Sequence, residues 1–201
     1  MAQGSLEMDR LLGAAKAYYQ AHAQLQRFVP WPSDLQSVLR APILKPGCAH
    51  LKRDFPPNTH RTPGGALLDA VYPVEHLLEW RTTYTEAEVG ANYLARSAWF
   101  ELIGPNGHFQ SNECIAFIAY WGAGLTYPWH KHEAEEIYTI AAGEACLKVD
   151  AKPDLRARCG DHRLHASWQP HELTTPNGPV VTFCMWRGAG LNEEPIVIRD
   201  P

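Results

Sequence analysis

Apolar residues in the first part of the chain recur at helical spacing. Within residues 5–28 they fall three or four positions apart, as on one face of a helix. These positions are Met8, Leu11, Leu12, Ala15, Tyr18, Tyr19, His22 and Leu25. Ser5 is the predicted N-cap of this helix, and Pro30 is its predicted stop.

The segment that follows is predicted to combine short helices with one long loop. Prolines cluster in residues 42–65 and leave little periodicity, which favours an ordered surface loop. The length of this loop and the pair Gly64-Gly65 suggest a lid. The first predicted helix runs from Ser33 or Asp34 to the residue before Pro42. The second covers residues 66–80, with a kink or break at Pro73. The third covers residues 85–94, with Glu86 and Glu88 in its first turn.

After about residue 97 the pattern changes to short runs of aromatic and β-branched residues. The predicted strands are residues 99–103, 114–121, 137–141, 145–149, 180–186 and 196–198, with turns at residues 104–107, 142–144 and 176–179. Short strands at this spacing are typical of an antiparallel sandwich or barrel. The pattern therefore predicts a mainly β protein, in which a helical portion, residues 1–96, packs on a small β-barrel, residues 97–201.

Composition narrows the class of protein. The chain has 201 residues, of which 45% are hydrophobic and 20% charged, as in an ordinary globular domain. A net charge of -4 argues against a strongly basic nucleic-acid binder or a polybasic membrane binder. The five cysteines form no CxxC motif, and we find no secretory signal or membrane span, so free thiols and a cytoplasmic location are expected.

One stretch carries candidate chemistry. His130 and His132 are two positions apart, which places them on one face of a strand. Glu136 and Tyr138 share their parity, so the four side chains are expected to face the same way. Imidazole and carboxylate groups together suit Fe, Zn, Mn, Ni or Co. Candidates for a further ligand are His162, His165 and His171.

The spacing Gly124-x5-His130-x-His132-x3-Glu136-x6-Gly143 resembles the first conserved motif of the cupin superfamily. The second cupin motif is matched at its glycine and its histidine, by Gly160 and His171, whereas its proline, second glycine and asparagine are replaced by Ala166, Trp168 and Thr175. The resemblance implies a cupin barrel and selects His171 as the fourth ligand. His162 and His165 are then interpreted as residues of a surface loop.

The order His-x-His-x3-Glu-x-Tyr, preceded by Tyr127, resembles the cupin dimethylsulfoniopropionate (DMSP) lyases, the DddQ kind in particular. The resemblance implies cleavage of the zwitterionic sulfonium DMSP to acrylate and dimethyl sulfide by β-elimination. Tyr138 is implied as the catalytic base, and Tyr127 as a residue for substrate binding or proton transfer. One divalent transition metal is implied, namely Fe, Zn or Mn, with Ni or Co as further candidates, held by His130, His132, Glu136 and His171.

A sulfonium cation favours aromatic faces. Tyr120, Trp129, Phe183 and Trp186 are available. Trp129 has the opposite parity to His130 and is set aside, whereas Trp186 is the preferred candidate and Tyr120 a second one.

Two other functions remain open from the residues. An Fe(II)-dependent cupin dioxygenase uses the same ligands, but it has no need of a base at Tyr138 and consumes O₂. A non-enzymatic, small-ligand-binding cupin of the sensor kind usually carries a DNA-binding partner domain. Residues 1–40 hold only four cations and no basic recognition helix, so no nucleic-acid or membrane partner is expected. A homodimer is left open.

Overall fold

The computed structural model describes residues 2–58 and 62–199. The helices are α1 (Ala2–Ala21), α2 (Ala23–Phe28), α3 (Pro46–Asp54), α4 (Pro63–Val71), a 3-10 helix (Tyr72–Leu77), α5 (Glu86–Val89) and α6 (Ala91–Arg96). The strands are β1 (Gln36–Ser37), β2 (Ser97–Gly104), β3 (Phe109–Gln110), β4 (Ile115–Trp121), β5 (Thr126–Lys131), β6 (Glu135–Val149), β7 (Lys152–Arg158), β8 (His162–His165), β9 (His171–Thr174), β10 (Val180–Arg187) and β11 (Ile196–Val197).

The long strand β6 joins the two halves of the sheet. Its first half pairs with β10 on one side and β8 on the other, and its second half pairs with β7 and β9. The strand path is β1-β3-β2-β4-β10-β6-β9-β5-β11. These pairings are antiparallel, except that β2 runs parallel to β3. The predicted mainly β fold with N-terminal helices is confirmed.

The N-terminal helices cover one face of this sheet. Helix α1 packs on α4, and α4 packs on β6. The apolar face of α1 buries Leu11, Ala15 and Tyr18, as its helical spacing predicts. The Tyr18 hydroxyl donates a hydrogen bond to Thr139 Oγ1 on β6 at 3.2 Å. The division of the chain near residue 97 remains a prediction. Strand β1 belongs to the N-terminal portion but adds to the sheet by pairing with β3. Residues 1, 59–61, 200 and 201 lie outside the described part of the chain.

The first predicted helix differs in detail. Helix α1 begins at Ala2, so Ser5 lies inside the helix and is not its N-cap. The helix is interrupted at His22, which has extended backbone angles. His22 Nδ1 bonds to the Tyr18 carbonyl at 2.7 Å, and a side chain that satisfies a terminal carbonyl in this way replaces the next helical bond.

Two predictions for the following segment were wrong. The helix expected after Ser33 is absent, and β1 pairs with β3 there instead. Residues 46–54 and 63–65 of the expected loop over residues 42–65 are helical, and Pro46 and Pro63 stand in the first turns of α3 and α4. Proline is tolerated in a first turn because its missing N–H has no helical partner there. Residues 59–61 of the expected loop lie outside the described residues.

The next two predicted helices are each divided. The break expected at Pro73 is present, because α4 gives way to the 3-10 helix at Tyr72. The helix expected over residues 85–94 is split into α5 and α6 at Gly90, whose φ is 80°. Thr85 and Glu88 form a capping box at the start of α5.

The β region departs from prediction at one turn and at several strands. Residues 142–144 lie inside β6, where Gly143 has a φ of 76°, beside a register shift in the pairing of β6 with β10. The signal expected to make a turn therefore makes an irregularity in a continuous strand. The strands β7, β8 and β9 were not predicted, because their sequences are mainly polar.

Two predictions from composition can be compared with the structure. All five cysteines are free, and Cys48, Cys114 and Cys184 are buried. Among the described residues, no helix is long and apolar enough to cross a membrane.

Gly64 is the contact point between α4 and β6. A Cβ at this position would lie 1.8 Å from the Ala141 carbonyl oxygen. We expect Gly64→Ala to lower the free energy of unfolding by about 1–3 kcal/mol or more, because the helix must move away from the strand. Thermal and urea unfolding measure this change.

Gly13 provides the matched control, since it is exposed on α1 and a Cβ there meets nothing within 4 Å. Gly13→Ala is expected to stabilise the protein by roughly 0.5–1 kcal/mol. Equal unfolding midpoints for Gly64→Ala and the wild type would contradict the close helix-strand contact.

Candidate metal centre

The candidate ligands converge from three strands. His130 lies in β5 and His132 directly after it, whereas Glu136 and Tyr138 lie at the start of β6. The chain turns between β5 and β6, so these side chains meet from two strands and not from the single strand that their parity assumed. His171 begins β9, whose antiparallel pairing with β5 places it opposite His130.

The cluster is tightly packed and excluded from solvent. His130, His132, Glu136 and His171 are each 1–2% exposed. Glu136 Oε2 lies 3.3 Å from His132 Nε2 and 3.2 Å from His171 Nε2. Nitrogen atoms of His130, His132 and His171 all lie within 4.8 Å of one another. A second group of this kind consists of Glu136, His165 and His171, so the two groups share His171 and form one buried cluster.

Three of the imidazoles are oriented in the same way. His130 Nδ1 donates to the Pro128 carbonyl, His132 Nδ1 to that of Ala134 and His171 Nδ1 to that of Gln169, each at 2.8 Å. In each neutral imidazole this bond assigns the proton to Nδ1 and leaves a lone pair on Nε2. Metal-binding histidines are commonly oriented by such a bond from their other nitrogen.

No proton lies between the Nε2 lone pairs of His132 and His171 and the Glu136 carboxylate oxygen that they approach. His132 Nε2 and His171 Nε2 both approach Glu136 Oε2, and an imine nitrogen and a carboxylate oxygen are both acceptors. His171 Nε2 is buried and has no hydrogen-bond partner among the residues that the structure describes. A divalent cation would satisfy all of these atoms, so the residues present fit a metal with nitrogen and oxygen ligands.

The surroundings of Glu136 and His130 favour an ionised carboxylate and a neutral imidazole, as a metal site requires. Burial alone would raise the pKa of Glu136, but the neighbouring imidazoles of His132, His165 and His171 hold it well below its usual range. Burial, together with the neighbouring His171, lowers the pKa of His130 well below its usual range. Glu136 is therefore a carboxylate and His130 a neutral imidazole at pH 7.

The prediction that His162 and His165 belong to a surface loop was wrong. Both lie in β8, and His165 is 3% exposed. His165 Nδ1 lies 2.7 Å from Glu136 Oε2. Burial and His171 lower the pKa of His165 to about 3, so its ring is neutral and donates Nδ1–H to the carboxylate. The sequence contains no local signal for this contact, because it depends on the pairing of β8 with β6.

Trp186 joins the cluster from β10. Its Nε1–H donates to Glu136 Oε1 at 2.6 Å, and its ring stacks on His132 with centroids 4.2 Å apart. Trp186 also lines the cavity above the cluster. It is thus available to a bound molecule as well as to Glu136.

A cavity of about 370 Å³ opens onto this cluster. Its wall is rich in aromatic side chains, which are Trp80, Tyr84, Trp99, Phe117, Trp121, Tyr127, Tyr138 and Trp186. His130, His132 and Glu136 also reach it. An aromatic wall beside a cluster of metal-ligand type suits a small organic cation that also carries an anionic group.

The two candidate tyrosines both lie in this wall. The Tyr127 ring is 4.0 Å from His130 and stacks on Trp121 at 5.5 Å, measured between centroids. Burial, with Tyr84 and Tyr138 beside it, raises the pKa of Tyr127 well above its usual value. Burial, with Glu136 and Cys184 nearby, does the same for the pKa of Tyr138. Both phenols are neutral at pH 7 unless a cation lies beside them.

Tyr120 and Phe183 lie elsewhere. Both are buried in the core with the N-terminal helices, and the Tyr120 hydroxyl donates to Asp54 Oδ2 in α3 at 2.6 Å. Along β4 the cavity instead receives Ile115, Phe117, Ala119 and Trp121. The structure therefore does not bring the candidate Tyr120 to the site. The sequence reasoning missed Trp99, Phe117 and Trp121, since nothing in it assigned the cavity to one parity of β4.

Comparison with known proteins identifies relatives that match most of the chain. The family model for dimethylsulfoniopropionate lyase matches residues 20–182. The dimethylsulfoniopropionate lyase DddQ of Ruegeria pomeroyi is 35% identical over 188 residues, which are 94% of this chain and 92% of that protein. Its crystal structure superposes with a TM-score of 0.88 at 34% identity over 95% of each chain.

A second solved structure, reported as "Crystal structures of DMSP lyases RdDddP and RnDddQII", superposes with a TM-score of 0.92 and 38% identity. That match covers 98% of this chain and 100% of the other. Sequence and fold agree over nearly the whole length. The chain therefore belongs to the dimethylsulfoniopropionate lyase family.

Proposed function

We propose that the protein is a metal-dependent lyase that cleaves DMSP to acrylate and dimethyl sulfide. The observation that carries the proposal is that His130, His132, Glu136 and His171 lie in one buried cluster beneath an aromatic cavity. Family membership supplies the substrate, since the relatives bear the name of this lyase.

The four ligand residues would hold one divalent transition metal, with Fe, Zn and Mn as the first candidates and Ni and Co as further ones. When bound, the metal supplies a Lewis acid for the substrate carboxylate, and so stabilises the negative charge that develops beside it. The Nδ1–H bonds of the three histidines to backbone carbonyls keep their Nε2 lone pairs directed at this position.

Tyr138 is the proposed base. β-Elimination requires removal of a proton next to the carboxylate, and the base must lie within hydrogen-bond reach of that proton. Tyr138 follows Glu136 by two residues on β6 and lines the same cavity. Because burial and Glu136 favour the neutral phenol, a cation in the cluster is needed to favour the phenolate.

The aromatic wall is proposed to hold the sulfonium group. Trp186 is the leading residue, because its ring borders both the cavity and His132. Each favourable cation–aromatic contact is worth roughly 0.5–2 kcal/mol. Tyr127 is proposed to contact the substrate or to relay a proton. Dimethyl sulfide leaves as a neutral molecule, so no general acid is required.

Headspace gas chromatography tests this function. The metal-free protein is loaded with each candidate metal in turn and given DMSP, and a sample treated with excess chelator serves as the control. We expect dimethyl sulfide and acrylate in equal amounts from at least one loaded form and neither from the chelated form. Product formed at the same rate after complete metal removal would contradict the metal role.

Oxygen uptake distinguishes the dioxygenase alternative. The proposed lyase consumes no O₂, because the elimination neither oxidises nor reduces the substrate overall. Failure of every loaded form to release dimethyl sulfide, together with O₂ uptake by the Fe(II) form, would contradict the lyase. The cytoplasmic location also stays a proposal, supported by five unpaired cysteines.

A further inference from the structure

We propose that His165 is a positioning residue that holds the Glu136 carboxylate in the orientation needed for metal binding. The inference rests on the proposed metal centre and adds to it a residue outside the ligand set. It is carried by three observations, namely the cross-strand register, the direction of the His165 ring nitrogen and the contact of His165 with His171.

The register places Glu136 between two hydrogen-bond donors. Trp186 on β10 and His165 on β8 are both directly opposite Glu136 on β6. Side chains at directly opposed positions of neighbouring strands are close enough to contact one another. Trp186 Nε1–H donates to Oε1 at 2.6 Å, and His165 Nδ1–H donates to Oε2 at 2.7 Å. Each carboxylate oxygen is thus held from a different side.

The direction of His165 separates it from the three candidate ligands. His130, His132 and His171 each direct Nδ1 to a backbone carbonyl two residues away and Nε2 towards the centre. His165 instead uses Nδ1 to contact Glu136. The nitrogen of His165 that faces the cluster therefore carries the proton. A protonated ring nitrogen has no lone pair for a metal.

His165 also restrains a second ligand. Its ring lies nearly parallel to that of His171, with centroids 3.9 Å apart and planes inclined by 19°. The edge-to-face contact with Tyr138 has a centroid distance of 4.9 Å. One buried ring therefore contacts a carboxylate ligand, an imidazole ligand and the proposed base. Residues that orient metal ligands in this way commonly contribute 10–100-fold to metal affinity, by order of magnitude.

The test measures metal binding rather than turnover. Dissociation constants for Co²⁺ are obtained by competition with a chromophoric chelator for the wild type, His165→Asn, His165→Leu and His162→Asn. The Asn amide places an N–H donor near the position of His Nδ1, whereas Leu has no donor. His162 is the matched control, because it lies in the same strand and bonds to Gln24.

We expect His165→Leu to weaken Co²⁺ binding by about 10–100-fold, and His165→Asn and His162→Asn to stay within about 3-fold of the wild type. The absorption bands of Co²⁺ should be the same in His165→Asn as in the wild type, because the ligands are unchanged. Thermal unfolding of the metal-free variants identifies any that fail to fold, and His165→Phe, which keeps a ring but has no N–H donor, replaces His165→Leu in that case.

Two results would overturn the positioning role. The first is that His165→Leu, or its substitute, binds Co²⁺ as tightly as the wild type. The second is that His165→Asn binds Co²⁺ as weakly as His165→Leu and has altered absorption bands. This second result would make His165 a ligand. A wild-type protein that does not bind Co²⁺ would contradict the metal centre itself, and with it this role. Dimethyl sulfide release is measured separately. A wild-type protein that binds Co²⁺ but releases no dimethyl sulfide would count against the proposed function alone.

Discussion

Replacing Tyr138 with phenylalanine is expected to lower kcat for dimethyl sulfide release by about 10³-fold, within the range for loss of a general base. The substitution removes only the hydroxyl, and Tyr138 is buried beside Glu136 in the cavity wall. The four proposed ligands remain, so we expect the metal content to be unchanged. Headspace gas chromatography measures the rate, and elemental analysis of the same sample measures the metal.

Tyr127→Phe is the matched comparison, because Tyr127 is also a buried phenol in the same wall. We expect it to raise KM more than it lowers kcat, since Tyr127 is proposed to contact the substrate and not to take its proton. Wild-type turnover in Tyr138→Phe, combined with inactivity of Tyr127→Phe, would transfer the role of base to Tyr127.

Replacing His132 with alanine is expected to weaken binding of the divalent metal by at least about 100-fold, beyond what loss of an orienting neighbour typically costs. His132 contributes a lone pair on Nε2, and its Nδ1 is already bonded to the Ala134 carbonyl. Release of dimethyl sulfide should fall to background at one equivalent of metal. Chelator competition measures the affinity, and headspace analysis measures the activity.

The control for this substitution is His76→Ala, since His76 is exposed on the 3-10 helix and does not line the cavity. It should bind metal and release dimethyl sulfide like the wild type. One equivalent of metal bound by His132→Ala at wild-type affinity would remove His132 from the ligand set.

Local sequence signals predicted several elements well. The helical spacing of Leu11, Ala15 and Tyr18 predicted the buried face of α1, because residues three and four apart share a face whatever lies against it. The mainly β second half followed from β-branched and aromatic runs. Strands β7, β8 and β9 escaped prediction, because polar strands form through pairing with a neighbour, and pairing is not a local property.

In the candidate site, too, local spacing identified some residues, and others required the tertiary structure. His130, His132 and Glu136 stand within seven consecutive residues, so their spacing and the cupin resemblance could identify them together, and the resemblance added His171. Trp186 was a preference among several aromatic residues. Tyr120 was as good a candidate as any other residue of β4 until one face of that strand was seen to pack on the helices.

The sequence by itself determined the class of fold, the local ligand motif and the family that they resemble, because each depends on residues close together in the chain. Only the tertiary structure decided that His165 faces Glu136 and that Trp186 holds the other carboxylate oxygen. Both contacts depend on which strands flank β6 and on their register. A shift of one residue in that register would direct His165 to the opposite face of the sheet.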